Sequence, residues 1–422
     1  MPVLHSATFA AALVAGVLCS LGASARMPEP SVAAAPEAPA DVRPPLDSRA
    51  KLDAWLRAHR GKPSPLDAFS AGGQQRFLAG LGYGERGVVS LPFEDLTWEL
   101  DQAQAQAVLT LLGLGDDPIA TTLRTDPVPS AWRGDRKTPS DIDRRYTQYI
   151  ALTGAVAEGD ALTRARHMDA LYRQLFPKTL VEQADKLTDP DLLLLARAAA
   201  NAAGSGSDQS ATQDLLALLV LLGQRGMERG SLIQDAQRAL LASGKLDDAR
   251  ALTAQHPAIA LASIPTVGTP ADALPTGPRW WRLSADATRM DAESADLAQT
   301  QILVLAGCHF SVDAAQDIAA DPELGPVFAR HAHWLGQPPG VEDLDAWKAW
   351  NARFPGTPMY LITQRSDWTR LPAWRMPTYA IVRDGKVVDQ ASGAFRNVPD
   401  RRIALIEMLR RHGLMPPAGS KD

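Results

Sequence analysis

The chain of 422 residues has only two cysteines, Cys19 and Cys308. Cys19 sits within an N-terminal apolar run, so loss of that run would leave Cys308 alone. A single thiol cannot close an internal disulfide; it pairs with another molecule or stays free. An excess of either charge is also lacking: 43 Lys and Arg against 48 Asp and Glu leave a net charge of −5. This balance argues against a nucleic-acid binder, although a local basic groove stays open, and no acidic block marks a solvating tail. The catalytic spacings HExxH, GxSxG and the phosphate loop are missing as well. With 45% hydrophobic and 22% charged residues, the chain can still bury a sizeable core, enough for two or three domains.

The run from Phe9 to Gly22 is too short to span a bilayer comfortably. Small residues, Ala23-Ser24-Ala25, follow it where a signal peptidase reads. The expectation is an export signal over residues 1–25, cleaved after Ala25, and a periplasmic or secreted protein with no stable membrane span afterwards. An uncleaved anchor is the alternative. Lipid attachment at Cys19 is disfavoured because Leu18 stands where a small residue is needed. Residues 26–46 are rich in Pro and Ala without hydrophobic period, which reads as a linker.

From 47 to 262 the pattern is helical. Asp47 and Ser48 can cap a helix carrying Leu52, Trp55 and Leu56 at i, i+3 and i+4. Helical period continues through 93–112, 141–176, 189–203, 209–224, 231–243 and 246–255, punctuated by Gly and Asp. The stretch LLASGKLDDARALTAQHP loosely resembles a tetratricopeptide-type hairpin, but no 34-residue period repeats. The expected role of this array is a scaffold or protein-binding surface. Residues 263–279 hold four prolines and two glycines, so they read as a linker between domains.

From 280 to 413 the texture changes to alternating strands and helices, with a tail at 414–422. Strands are predicted at 300–306, 331–335 and 358–363, and a hairpin of 378–383 and 386–391 around Asp384-Gly385. Helices are predicted at 311–320, 341–354 and 401–411. The layout suits parallel strand pairs closed by one hairpin and a helix.

Two local patterns give this last third a likeness. LVLAGCHFS is a buried strand ending in Cys-x-x-Ser at a helix start. RMPTYAIVRDGKVV places Pro377, preceded by Met376, ahead of a strand and a tight turn. Together they resemble the thioredoxin-like superfamily, which implies an α-helical N-terminal region followed by an α/β thioredoxin-like domain. In that resemblance Cys308 stands at the redox cysteine and Pro377 at the cis-proline. The chain departs from it in two places: Ser311 replaces the second cysteine, and Gly307 replaces the usual aromatic residue. Ordinary dithiol cycling is therefore excluded, and a monothiol variant is implied.

A cysteine at a helix N-terminus faces unpaired N–H groups and the positive end of the dipole, which favour thiolate. A Ser311 hydroxyl can donate to it, and a charged His309 adds to the effect. The expected nucleophile is thus Cys308 with Ser311 in support, and His309, Met376 and Pro377 on the substrate side. The expected partners are an unidentified protein and a small-molecule thiol; no cofactor is implied. A free cysteine is also a small hydrophobe that often just packs. A redox-inactive binding or scaffold protein therefore remains the alternative, and whether the chain is an enzyme stays open.

His331 and His333 would share one face of a strand, where two imidazoles could chelate a metal ion; no third ligand is visible, so surface or core histidines are the preferred reading and metal binding is a minor alternative. Trp280, Trp281, Trp334, Trp347 and Trp350 read as core residues. Trp368 and Trp374 flank the loop before Pro377 and could line a peptide groove or cover the sheet edge.

Overall fold

The computed structural model describes residues 44–135, 137–155, 161–204, 209–371, 376–396 and 398–416. The export segment 1–25, almost all of the linker at 26–46, Trp374, Arg375 and most of the tail lie outside the described residues. The chain forms two compact units, Met1–Glu158 and Gly159–Asp422. The helical region read over 47–262 therefore falls into both units.

The first unit is built from α1 (Arg49–Ala58), α2 (Ala71–Gly80), a small hairpin of β1 (Gly82–Gly84) and β2 (Gly87–Ser90), α3 (Phe93–Glu99), α4 (Gln102–Leu111), α5 (Pro118–Thr122) and α6 (Asp141–Ala155). Ser48 caps α1 by accepting from the Lys51 N–H. Asp101 and Gln104 form a reciprocal capping box on α4. Leu52, Phe77, Leu96, Val108 and Leu109 are fully buried in a common core. The hairpin departs from the all-helical reading. Its strands are three and four residues long, too short for alternation to register.

This unit also buries charge. Arg76 donates from Nε and Nη2 to Asp95 at 2.9–3.1 Å, from Nη2 to Glu99 at 3.4 Å, and from Nη1 to Asp143. Gly72 and Gly73 make room for these carboxylates: a Cβ would lie 2.0 Å from Asp143 at one and 2.2 Å from Glu99 at the other.

The second unit opens with helices α7 (Ala161–Leu175), α8 (Lys178–Glu182), α9 (Asp189–Gly204), α10 (Gln209–Gln224), α11 (Gly230–Ala242) and α12 (Leu246–Gln255). Helix α9 buries eleven of its side chains, including Leu192 and Leu195, against its neighbours. Gln237 of α11 donates to Thr253 of α12 and exchanges two bonds with the Ala262 backbone, which ties the array to the segment that follows.

That segment contains regular structure where a linker was expected. Strand β3 (Thr266–Val267) pairs in parallel with β5 (Arg289–Ser294), which is antiparallel to β4 (Arg279–Leu283). Next come β6 (Gln301–Leu305), α13 (His309–Ala320), α14 (Leu324–His331), β7 (Ala332–Gly336), α15 (Leu344–Arg353), β8 (Met359–Ile362), β9 (Thr378–Arg383), β10 (Lys386–Ser392) and α16 (Pro399–Arg411). One eight-stranded sheet results, in the order β10-β9-β6-β7-β8-β4-β5-β3. Strands β6, β7 and β8 run parallel, and β9 returns antiparallel against β6.

Every side chain of β6 is buried, and its apolar run Ile302–Leu305 suits a central strand flanked by β7 and β9. Each such Leu or Ile contributes about 1.5–3 kcal/mol by leaving water. The β9–β10 turn has positive φ at Asp384 (49°) and Gly385 (68°), the geometry that Asp-Gly favours in a two-residue hairpin. The sheet therefore puts the end of β6 and the start of β9 side by side, with Leu305 opposite Thr378.

Candidate functional site

At the C-terminal end of β6 the chain passes through Ala306 and Gly307 into α13. Cys308 is the N-cap of that helix, in extended conformation (φ −116°, ψ 168°). It is partly exposed, whereas Ser311, one turn along, is fully buried. The two side chains meet at 3.5 Å between Sγ and Oγ. The Met376–Pro377 peptide bond is cis, and the Met376 carbonyl lies 3.9 Å from the sulfur. Residues remote in sequence thus converge because β6 and β9 are paired neighbours.

His309 is exposed, and its ring packs on Phe310 with centroids 3.9 Å apart. Phe310 is itself 54% exposed, an apolar side chain on the rim of the site. Behind the site, Arg396 fastens α13 by donating to Asp317 at 2.7 Å and Asp313 at 3.3 Å.

The sequence reading missed Glu342. It lies in the loop after β7, where a carboxylate beside two prolines and a glycine looks like surface. Its exposure is 8%, and burial pushes its acid up to about 8, with neighbouring Asp343 adding to the rise and the Gln337 N–H partly offsetting it. Gly307 (φ 141°) shows how close this group comes: a Cβ there would lie 2.4 Å from the Glu342 Oε2 and 3.2 Å from the Met376 Sδ. At this positive φ a side chain before the cysteine would be strained and would have to displace the Glu342 carboxyl. The signal that could have found Glu342 is that glycine.

The paired-histidine geometry is not present. His331 ends α14, and only His333 belongs to β7, so the two do not share a strand face. His333 packs against Trp280 and Tyr360, and burial depresses its basicity. Among the described residues no cluster of three or more His, Cys, Asp or Glu could hold a metal ion. Trp280, Trp281, Trp334, Trp347 and Trp350 are core residues. Trp368 is buried against Trp280 and donates to the Arg279 carbonyl, so it lines no groove. A cleft of about 400 Å³ lies between the α11–α12 turn and β4, lined in part by Leu241, Asp247, Arg279, Trp281 and Pro339, and not by Cys308.

No protein-family model matches the sequence, and a search of curated proteins finds no relative. A solved structure of a thioredoxin-like protein from Bacteroides caccae is similar at 12% identity and a TM-score of 0.21, over 60% of this chain and 95% of that one. The fold class is therefore read from the strand order, the strand-to-helix turn at Cys308 and the Met376–Pro377 segment facing it. The C-terminal α/β domain is thioredoxin-like. No helix among its described residues, or elsewhere among those of the chain, is long and apolar enough to cross a membrane.

Proposed function

We propose that the protein is an exported monothiol that carries out thiol–disulfide exchange on protein partners. The observation that supports it is the partly exposed Cys308 sulfur at the start of α13, with the Ser311 hydroxyl and the Met376 carbonyl against it. The Cys308 thiolate attacks one sulfur of a partner disulfide. A Cys308–partner disulfide forms, and the partner's other sulfur leaves as thiolate. A small thiol, or a second cysteine of the partner, then attacks the partner sulfur of this mixed disulfide. Cys308 leaves as thiolate and is restored. The exposed Phe310 offers apolar contact to the partner, and the Met376 backbone offers pairing to an extended strand.

A second reading, a redox-inactive binding protein acting through its helical region, has one observation behind it. The sulfur takes no capping hydrogen bond from the first turn of α13; the Ser311 and Val312 N–H groups donate instead to the Cys308 carbonyl.

Mass spectrometry after exposure to glutathione disulfide at pH 7 separates the two. The first reading expects a glutathione adduct on Cys308 that forms faster than on an unstructured cysteine peptide and is released by reduced glutathione. Cys308→Ser is the blank. Adduct formation no faster than on the peptide would leave the binding reading.

A further inference from the structure

The first unit carries a cavity of about 490 Å³ where α1 ends, lined by residues within 55–74 and so belonging to a different unit from Cys308. Its volume lies in the range of small-molecule sites, about 300–1,000 Å³. Trp55, Leu56 and Leu66 give it an apolar wall. The His59 ring is stacked on Trp55, with centroids 4.2 Å and planes 17° apart. Trp55 is buried, so the partly exposed imidazole is the reachable end of this stack. The Trp55 carbonyl can only accept, so His59 donates to it from Nδ1 at 3.1 Å, which fixes the ring in place.

Positive charge gathers beside that wall. The Lys62 N–H donates to the His59 carbonyl at 2.9 Å and closes a four-residue turn, with Gly61 (φ 77°) at its third position. The turn brings His59, Arg60 and Lys62 to one cavity. Arg60 and Lys62 are exposed, and neither side chain is paired with another described residue. One carboxylate shares the lining: Asp67, whose Oδ2 accepts from the Ser64 N–H at 2.8 Å. The end of a helix adds about half a negative charge, but the Trp55 and His59 carbonyls of α1 are already taken by hydrogen bonds. Two free cations therefore prevail, and the lining is net positive.

We infer that this cavity binds a small aromatic carboxylate, its ring added to the Trp55–His59 stack and its anion held by Arg60 and Lys62. A bare inorganic anion would leave the apolar wall uncovered, and an uncharged apolar molecule would leave both cations unpaired. The inference does not depend on the exchange proposed for Cys308.

The test is equilibrium dialysis of the full chain against 2-naphthoate at low salt. Two controls accompany it: 2-naphthylmethylammonium, which reverses the charge, and inorganic phosphate, which lacks the ring. The acid is expected to bind, and each control to bind about tenfold more weakly or worse. The double variant Arg60→Gln, Lys62→Gln is expected to weaken the acid about tenfold; both positions are exposed, so its fold is kept. His59→Leu is expected to weaken it about fivefold, and His59→Phe to recover most of the loss, because a flat ring carries the stack. No binding of the acid, equal or tighter binding of the ammonium compound, or a double variant that binds like the wild type would overturn the inference. Phosphate binding as tight as the acid, or a His59→Leu protein with wild-type affinity, would overturn its aromatic part.

Discussion

Glu342 makes the fold sensitive to base. Below the ordinary carboxyl value of 4.5 the group is neutral in both the folded and unfolded chain and costs nothing. As pH rises from there toward about 8, the unfolded chain releases the proton while the fold keeps it, so stability is lost across that window and stays low above it. At about 1.4 kcal/mol per tenfold change in proton affinity, the full loss is on the order of 5 kcal/mol. Glu342→Gln should therefore change urea stability little at pH 5 and raise it by a few kcal/mol at pH 9. An equal effect at both values would mean that the carboxyl is hydrated in the fold. None of this is legible in the string QPPGVED, because burial of that carboxyl depends on Gly307 and Gly336, which belong to other strands' ends. Cys308 and Pro377 were legible because each stands beside an apolar strand whose pairing brings them together. His331 was misread for a local reason: the helix before β7 runs one residue further than the His-x-His alternation suggests.

Elements show the same division between local and distant causes. Strands β6 and β9 declare themselves as apolar, β-branched runs, and the β9–β10 turn by Asp-Gly. Strands β4 and β5, RWWRL and RMDAES, mix charge with apolar residues and carry no period that separates them from loop. They exist because Trp281, Leu283, Met290 and Ala292 find a sheet to be buried against. Strand β3 is two residues between prolines, held by its register with Arg289 and Met290. Helix α15 is a local case. Asp343 Oδ1 accepts from the Asp345 and Ala346 N–H groups at 2.8 Å each. Asp343→Ala should cost about 1 kcal/mol in chemical denaturation. The loss should be recovered by Asp343→Ser, and a fully destabilised Ser variant would point to charge rather than capping.

On the scale of the whole molecule, each of the two units has its own buried core. Calorimetry is expected to resolve two transitions. Arg76→Ala, which removes the buried cation from among three carboxylates, should lower only the first unit's transition, and Leu303→Ala only the second's, each by several degrees. A single transition moved by both substitutions would mean that the units unfold together. The sequence pattern placed the major boundary at 263–279. Composition cannot show that this proline-rich stretch is stitched down by Arg250 to the Pro265 carbonyl, Lys348 to the Ser263 carbonyl and Arg279 to the Ala271 carbonyl.

The two outermost strands of the eight-stranded sheet bear on how the chain behaves in crowded surroundings. An exposed strand edge is a template on which other chains can add and polymerise. Here one edge, β3, is two residues long and is followed closely by Gly268 and Pro270. The other, β10, is broken by a bulge between Val387 and Asp389, and Asp389 is engaged by Arg411 and His412. Neither edge offers a long, flat row of unpaired amides. Both edges of the sheet thus carry features that hinder the addition of a further strand.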